Sequence, residues 1–263
     1  IIHSGAVIGA ELRELPRTWM RLAQQAAEKV ASYGGGFSLP LQVAMQERLA
    51  AIEARHSRRR LVRTRGGVVL AAGGFVFNPE LMKRWAPAYA ACSMRLGTAG
   101  DDGAGIRLGQ AAGGRADHLE RCCAWRFINP PTAWTHGILV GPDGARICNE
   151  ELYGSTIGEH LAERFAGRGV LVIDHDAMEL SRQQLRGETM GGFQLVFGFA
   201  NDYLNHEKAP TIGALAERCG IAPMELAATV AAYNANVARG NDPMGKSAKA
   251  LHPIRTPPFY GIN

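Results

Sequence analysis

No Cys-x-x-Cys pair and no zinc-finger spacing occur among the five cysteines of this 263-residue chain (Cys92, Cys122, Cys123, Cys148 and Cys219). The odd count argues against a disulfide framework, and the spacing against a structural metal, so a reducing, cytoplasmic setting is the expectation. A long hydrophobic run is also lacking. The most apolar stretch, residues 66–77, contains four glycines and is about half of the roughly 20 residues that span a bilayer, so no membrane span is expected. Charge of one sign is not in large excess: 29 Lys and Arg stand against 24 Asp and Glu, for a net charge of +5. The basic residues are scattered apart from Arg58-Arg59-Arg60, which gives little basis for a nucleic-acid partner. There is no Gly-x-Ser-x-Gly elbow for a serine hydrolase, and no signal-peptide pattern is visible.

What the chain does contain is ordinary for a folded protein: 46% hydrophobic residues, 32 glycines and 13 prolines. That suits one large domain or two small ones. Leu15, Trp19, Leu22, Ala23 and Ala26 recur at the spacing of an amphipathic helix, predicting one over residues 12–30 that ends before the glycines at 34–36. A second helix is expected from residue 39 or 41 to about 49. The basic segment 55–65 leads into Gly67-Val68-Val69-Leu70-Ala71, a short apolar run bounded by glycine that reads as a buried strand; Arg58-Arg59-Arg60 reads as a solvated turn.

Asn78 followed by Pro79 marks a helix start. Residues 97–105 read as a glycine-rich loop with two aspartates, and 106–112 as a helix. Residues 137–140, Gly141-Pro142-Asp143-Gly144 and 145–148 form a hairpin signal, and 170–173 a further strand. Thr211 caps a helix, Pro223 opens another over 224–237, and Pro257-Pro258 leads into an extended exit.

Three segments carry a resemblance when taken together. They are Gly67-Val68-Val69-Leu70-Ala71-Ala72-Gly73-Gly74-Phe75, then Gly100-Asp101-Asp102-Gly103-Ala104-Gly105, then Gly137-Ile138-Leu139-Val140 leading to Arg146-Ile147-Cys148-Asn149-Glu150. In order and spacing they resemble the FAD-binding fumarate reductase and 3-ketosteroid dehydrogenase superfamily. The resemblance implies an α/β (mixed α+β) fold: part of a Rossmann-like FAD-binding domain over 1–120, an inserted α+β substrate cap over 121–255, and a return to the first domain at 256–263. It implies FAD as cofactor, a small apolar ketone as substrate and an electron acceptor of unknown identity. Ala71, Ala72, Gly73 and Gly74 would bring bare backbone against a flat ligand; alternatively they pack tightly on a neighbouring helix. Asp102 would accept hydrogen bonds from flavin or ribose hydroxyls, or cap the helix beginning at Ala104.

Within the superfamily, fumarate reductases place a proton-donating arginine shortly after the Asn-Glu pair. Here Asn149-Glu150 is followed by Glu151-Leu152-Tyr153-Gly154. A tyrosine at that place is similar to ketosteroid dehydrogenases, and Tyr153 is the candidate catalytic residue. A phenol, with a reference pKa near 10, can donate to a ketone when neutral or take a proton when ionised. The plain alternative is an amphipathic tyrosine with a wet hydroxyl. Trp125, Phe127, Ile128 and Trp134 would line a steroid-sized pocket or form the core of the cap.

The chain departs from the superfamily in having no Gly-x-Gly-x-x-Gly turn to seat a pyrophosphate and no closing glycine-rich segment, and residues 49–53 join pieces ordinarily separated. Two readings follow: a sequence covering part of a longer protein, or a shortened, flavin-free relative acting as a binding module. An enoate reductase of the fumarate-reductase kind is a further alternative. Asp174-His175-Asp176 has metal-ligand residue types, but one aspartate capping the next helix accounts for it, and no metal is expected.

Overall fold

The computed structural model describes residues 1–34, 39–90, 92, 95, 97, 100–187 and 192–263. The turn expected at Gly35-Gly36 and part of the loop at 97–105 lie outside the described residues. The chain forms two compact units, Ile1–Cys122 and Cys123–Asn263, and the fold is mixed α/β.

The first unit opens with β1 (Ile2–His3) and β2 (Ala6–Val7), an antiparallel pair. It continues through β3 (Gly9–Glu14), α1 (Thr18–Gly34), α2 (Leu39–His56), β4 (Arg58–Arg63), α3 (Pro79–Trp85), α4 (Pro87–Ala90) and α5 (Ala104–Ala111). Strands β3 and β4 pair antiparallel, with Gly9 opposite Arg63 and Glu14 opposite Arg58. Residues 12–14 are therefore strand, where the apolar spacing predicts helix. Pro16 disfavours helical backbone at Leu15, and ion pairs Arg59–Glu11 (2.8 Å) and Arg60–Glu14 (2.9 Å) tie the ribbon. By the same pairing Arg58-Arg59-Arg60 is not a turn. Helix α1 begins only at Thr18, and it leaves Trp19 and Leu22 each 62% exposed, so the apolar face anticipated there is uncovered within this unit.

The apolar run 67–71 differs most from its sequence reading. It belongs to no strand, and Val69 is 92% exposed. A strand of this composition is buried only where neighbours pair on its edges and cover its faces; here α5 approaches Leu70 through Gly109, but no strand among the described residues pairs with the run. Beyond it the local signals hold: Asn78 Oδ1 accepts from the backbone N–H groups of Glu80 and Leu81 at the start of α3.

The second unit holds β5 (Ile138–Val140), α6 (Gly154–Phe165), β6 (Val170–Ile173), α7 (His175–Gly187), α8 (Gly192–Tyr203), β7 (His206–Ala209), α9 (Ile212–Cys219), α10 (Pro223–Ala238) and β8 (Phe259–Ile262). Its four strands form one antiparallel sheet in the order β5-β6-β8-β7. Residues 256–263, expected as a return to the first domain, supply β8 inside this sheet. Alternate residues point to opposite faces, and both faces are covered. Leu139, Leu171, Ile173 and Ile262 pack with Ile157 and Leu161 of α6 and Met178 of α7. On the other side Ile138, Val140, Val172 and Phe259 pack with Leu215 of α9 and Leu226 and Val230 of α10. Ile128 and Trp134, each 2% exposed, are part of the first of these cores. They take up the alternative role of core, with Trp134 buried in the 3-10 turn Thr132–His136.

One close approach fixes how α6 sits. A Cβ at Gly158 would lie 2.1 Å from the backbone oxygen of Ala124 and 2.8 Å from the amide nitrogen of Trp125. Neither is a flexible side-chain end that can yield. Gly158→Ala is therefore expected to lose about 1–3 kcal/mol of stability through overpacking, despite alanine's better helix propensity. Urea unfolding of the two proteins checks this; an unchanged or raised midpoint is the contrary result.

Candidate active site

Tyr153 stands where the turn after Asn149 delivers the chain into α6. The Asn149 side chain accepts from the Glu151 amide (2.9 Å), and its carbonyl accepts from the Leu152 amide (3.2 Å). Such a short side-chain-to-backbone bond closes a turn locally. The Tyr153 carbonyl then accepts from Thr156 and Ile157 as the first turn of the helix forms. Tyr153 is 65% exposed. Its ring meets Trp125 edge to face, with centroids 4.6 Å apart and planes at 71°, and Trp125 lies 5.5 Å from Phe127. Of the four aromatic and apolar candidates for a pocket, Trp125 thus lies beside Tyr153 and Phe127 beside Trp125, while Ile128 and Trp134 belong to the core.

Beneath this turn lies a buried cluster of charge that sequence reasoning missed. Glu150, with its side chain wholly buried, accepts from the Leu139 amide (2.8 Å), from Arg146 Nε and Nη2 (2.9 and 2.7 Å) and from Lys246 Nζ (2.8 Å). Arg146 also donates to Asp242 at 2.5 and 3.1 Å, and the Lys246 amide donates to Asp242 at 3.0 Å. Two cations and two anions thus balance. Both cations lie near the Tyr233 ring, Arg146 at 5.1 Å and Lys246 at 5.0 Å from its centroid. Burial pushes Lys246 below the usual lysine range against the pull of Glu150. For Asp242, burial opposes ionisation, but the Arg146 guanidinium prevails and holds the carboxyl below its ordinary value. Burial raises the Tyr233 phenol, and Glu150 reinforces it. The sequence carried no helical i, i+4 signal for the cluster, since neither 146–150 nor 242–246 is helix and Asp242 meets the Lys246 backbone amide.

His136 and His252 stack at 3.9 Å beside a cavity of about 290 Å³ that Asp174 and Asp176 also line. Burial, then His252 and Lys246, lower the His136 pKa to about 4, with Asp174 and Glu151 pulling the other way. An unfolded histidine takes a proton near pH 6.5, so between there and about 4 the unfolded chain binds a proton that the folded one does not. Stability carried by neutral His136 is therefore complete above pH 6.5 and is lost as pH falls toward 4. Unfolding free energies at pH 7 and pH 5 are expected to differ more in the parent protein than in His136→Phe, and equal differences would contradict the assignment.

Asp174 caps α7 by accepting from the Ala177 amide, and its other oxygen accepts from the Arg255 and Thr256 amides. Of the residue types suggestive of metal at 174–176, the first is thus occupied by backbone. No cluster of three metal-ligating side chains occurs among the described residues.

In the first unit, Ala71, Ala72, Gly73 and Gly74 are exposed. Gly73 has φ +70°, and a Cβ there would overlap the Asp101 carboxylate; one at Gly97 would do the same from another side. The aspartate lodged against the glycine segment is therefore Asp101, a neighbour the sequence did not single out. Asp102 points to α5: its Oδ1 accepts from the Ala104 amide (2.7 Å), and its Oδ2 pairs with Arg107 (2.9 Å). Burial resists its charge, but Arg107 and the Ala104 amide win and lower its pKa. Leu70, Ala72 and Gly73 line a groove of about 340 Å³ together with Gly105 and Gly109 of α5, which approach Ala72 and Leu70 closely.

No protein-family model matches the chain. It is 31% identical over 271 residues to 3-oxo-5-alpha-steroid 4-dehydrogenase of Comamonas testosteroni, an alignment covering 99% of this chain and 49% of that protein. The crystal structure of 3-ketosteroid-Δ4-(5α)-dehydrogenase from Rhodococcus jostii RHA1, solved with 4-androstene-3,17-dione, matches 79% of this chain and 41% of that one at 27% identity and a TM-score of 0.62. Over nearly its whole length the chain is similar to 3-oxosteroid and 3-ketosteroid dehydrogenases. A flavocytochrome c3 fumarate reductase in its open conformation shares the fold over 79% of this chain and 36% of that one, at 19% identity and a TM-score of 0.52. The chain thus spans about half the length of its Comamonas relative and less of the two solved structures. No helix among the described residues is long and apolar enough to cross a membrane.

Proposed function

We propose that this chain is the part of an FAD-dependent dehydrogenase that carries Tyr153, and that the enzyme oxidises a carbon-carbon bond next to a ketone in a steroid-like substrate. The observation carrying this reading is the placement of Tyr153. It stands exposed at the head of α6 and beside the Trp125 ring, and it directly follows a turn built on Asn149-Glu150. In such a reaction the carbon next to the ketone loses a proton, the following carbon loses a hydride, and a double bond forms between them. Tyr153 would serve the proton side, by donating a hydrogen bond to the ketone oxygen or by accepting the proton. Trp125 and Phe127 offer apolar faces suited to a fused-ring body.

The first unit fits a cofactor on structural grounds: Ala72, Gly73, Gly105 and Gly109, all small, line a groove of about 340 Å³ beside the glycine segment, whose other side is filled by the Asp101 carboxylate. The backbone of Ala71, Ala72, Gly73 and Gly74 would lie along FAD, and Asp102 would accept from its hydroxyls with the lone pairs left by Ala104 and Arg107. When bound, FAD supplies the hydride acceptor. This reading assigns the Rossmann-like, cofactor-binding role to residues 1–120 and the substrate cap to 121–255.

The test is the absorbance spectrum of the intact protein, followed by turnover of a saturated 3-oxo-5α-steroid with an electron-accepting dye. Bands near 370 and 450 nm, as for any oxidised flavin, with steroid-dependent dye reduction are expected. A colourless protein that takes up no added FAD would overturn the proposal.

A further inference from the structure

The turn that delivers Tyr153 is gripped at two adjacent residues by two adjacent residues from far along the chain. Glu150 reaches inward to Lys246 Nζ at 2.8 Å. Glu151 reaches the surface side, where its oxygens accept from the Ser247 amide at 2.5 Å and the Ser247 hydroxyl at 2.7 Å, 96 positions away in sequence. Asp242 closes the other end of that second segment on Arg146 and on the Lys246 amide. A single anchor would let the turn pivot about it, whereas neighbouring anchors on opposite sides fix its rotation as well as its position.

The Tyr153 side chain has little of its own to fix it: it is mostly exposed, and its ring contact is the edge of Trp125. No hydrogen bond to its hydroxyl occurs among the described residues. The place of the phenol therefore depends on the backbone that carries it. We propose that Glu151 and Ser247 are positioning residues for Tyr153, forming the outer half of a clasp whose inner half is Glu150 and Lys246. This rests on the reading of Tyr153 as the phenol that serves the proton step. Misplacing a reacting group by about 1 Å can lower a rate by about 10²-fold, so partial release of the turn is expected to lower kcat by roughly 10-fold while leaving KM within a factor of about two.

Glu151 and Ser247 are exposed, so Glu151→Ala can open the outer half without burying an unpaired charge. The experiment compares the intact, flavin-loaded parent, Glu151→Ala, Tyr153→Phe and the double variant. It measures dye-coupled turnover of a saturated 3-oxo-5α-steroid and amide hydrogen exchange over residues 150–157. The expected result is a lower kcat for Glu151→Ala with faster exchange over 150–157, and no further loss when the same change is made in Tyr153→Phe. Such non-additivity marks a residue acting through another; a merely structural residue would lower both backgrounds alike. Equal losses in both backgrounds, unchanged turnover in Glu151→Ala, or unchanged exchange over 150–157 each overturn the proposal and leave the reading of Tyr153 intact. Parent-like turnover by Tyr153→Phe, or none by the parent protein, removes that reading and the proposal with it.

Discussion

Tyr153→Phe is expected to retain its flavin and lose turnover by roughly 10²-fold or more, the usual scale for removing a general acid or base. The substitution deletes one oxygen and leaves the ring, so the edge contact with Trp125 and the start of α6 should persist. That makes the change chemically narrow. A loss confined to kcat points to the proton step, and a rise in KM alone would mean that the hydroxyl contributes only to substrate binding. The decisive comparison is the steady-state rate per bound flavin, with the flavin content read from its absorbance. Parent-like turnover in Tyr153→Phe removes this residue from the chemistry.

Glu150→Ala is expected to destabilise the protein by about 3–5 kcal/mol, the range for breaking a buried ion pair from one side. Glu150 is the common acceptor for Arg146, Lys246 and the Leu139 amide, and its side chain is fully buried. Without it Arg146 retains Asp242, but among the described residues Lys246 Nζ keeps only the Gly137 carbonyl and the Tyr233 hydroxyl. A buried ammonium so placed is left without a carboxylate partner on its charged end. Glu150→Gln keeps an oxygen for Leu139 and a similar volume, so it should fall between the parent and Glu150→Ala. Urea midpoints for the three proteins order these outcomes, and identical midpoints would show the cluster to be energetically idle.

What the sequence made legible was local. Strand β6 lies over Val170–Ile173, where four apolar residues in a row predict it, and the caps at Asn78 and Thr211 accept the amide hydrogens that a short polar side chain can reach. Pro223 opens α10 because its missing N–H is not needed there. Less legible was anything decided by distant partners. Leu12 sits in a strand because Arg60 lies opposite it, and no window around Leu12 contains that information. The run at 67–71 has the composition of a buried strand, but composition does not supply the neighbours that would bury it. At the candidate site, Tyr153 is proposed from its place after Asn149-Glu150, and Asn149 closes the turn that leads to it. Lys246, Ser247 and Asp242 could not be picked out, because nothing near them in sequence shows that they meet Glu150, Glu151 and Arg146.

The place of β8 between β6 and β7 also governs the order in which the second unit can assemble. As the ribosome releases the chain, β5 and β6 can zip together early, but β6 then waits with a bare edge while α7 to α10 are made. Only when residues 259–262 emerge does that edge find its partner, and β7 is joined to the sheet in the same act. Pairings so remote in sequence form slowly, and an open edge is the surface on which nascent chains stick to one another. A ribosome stalled before residue 259 should therefore present a half-built sheet for chaperones to guard.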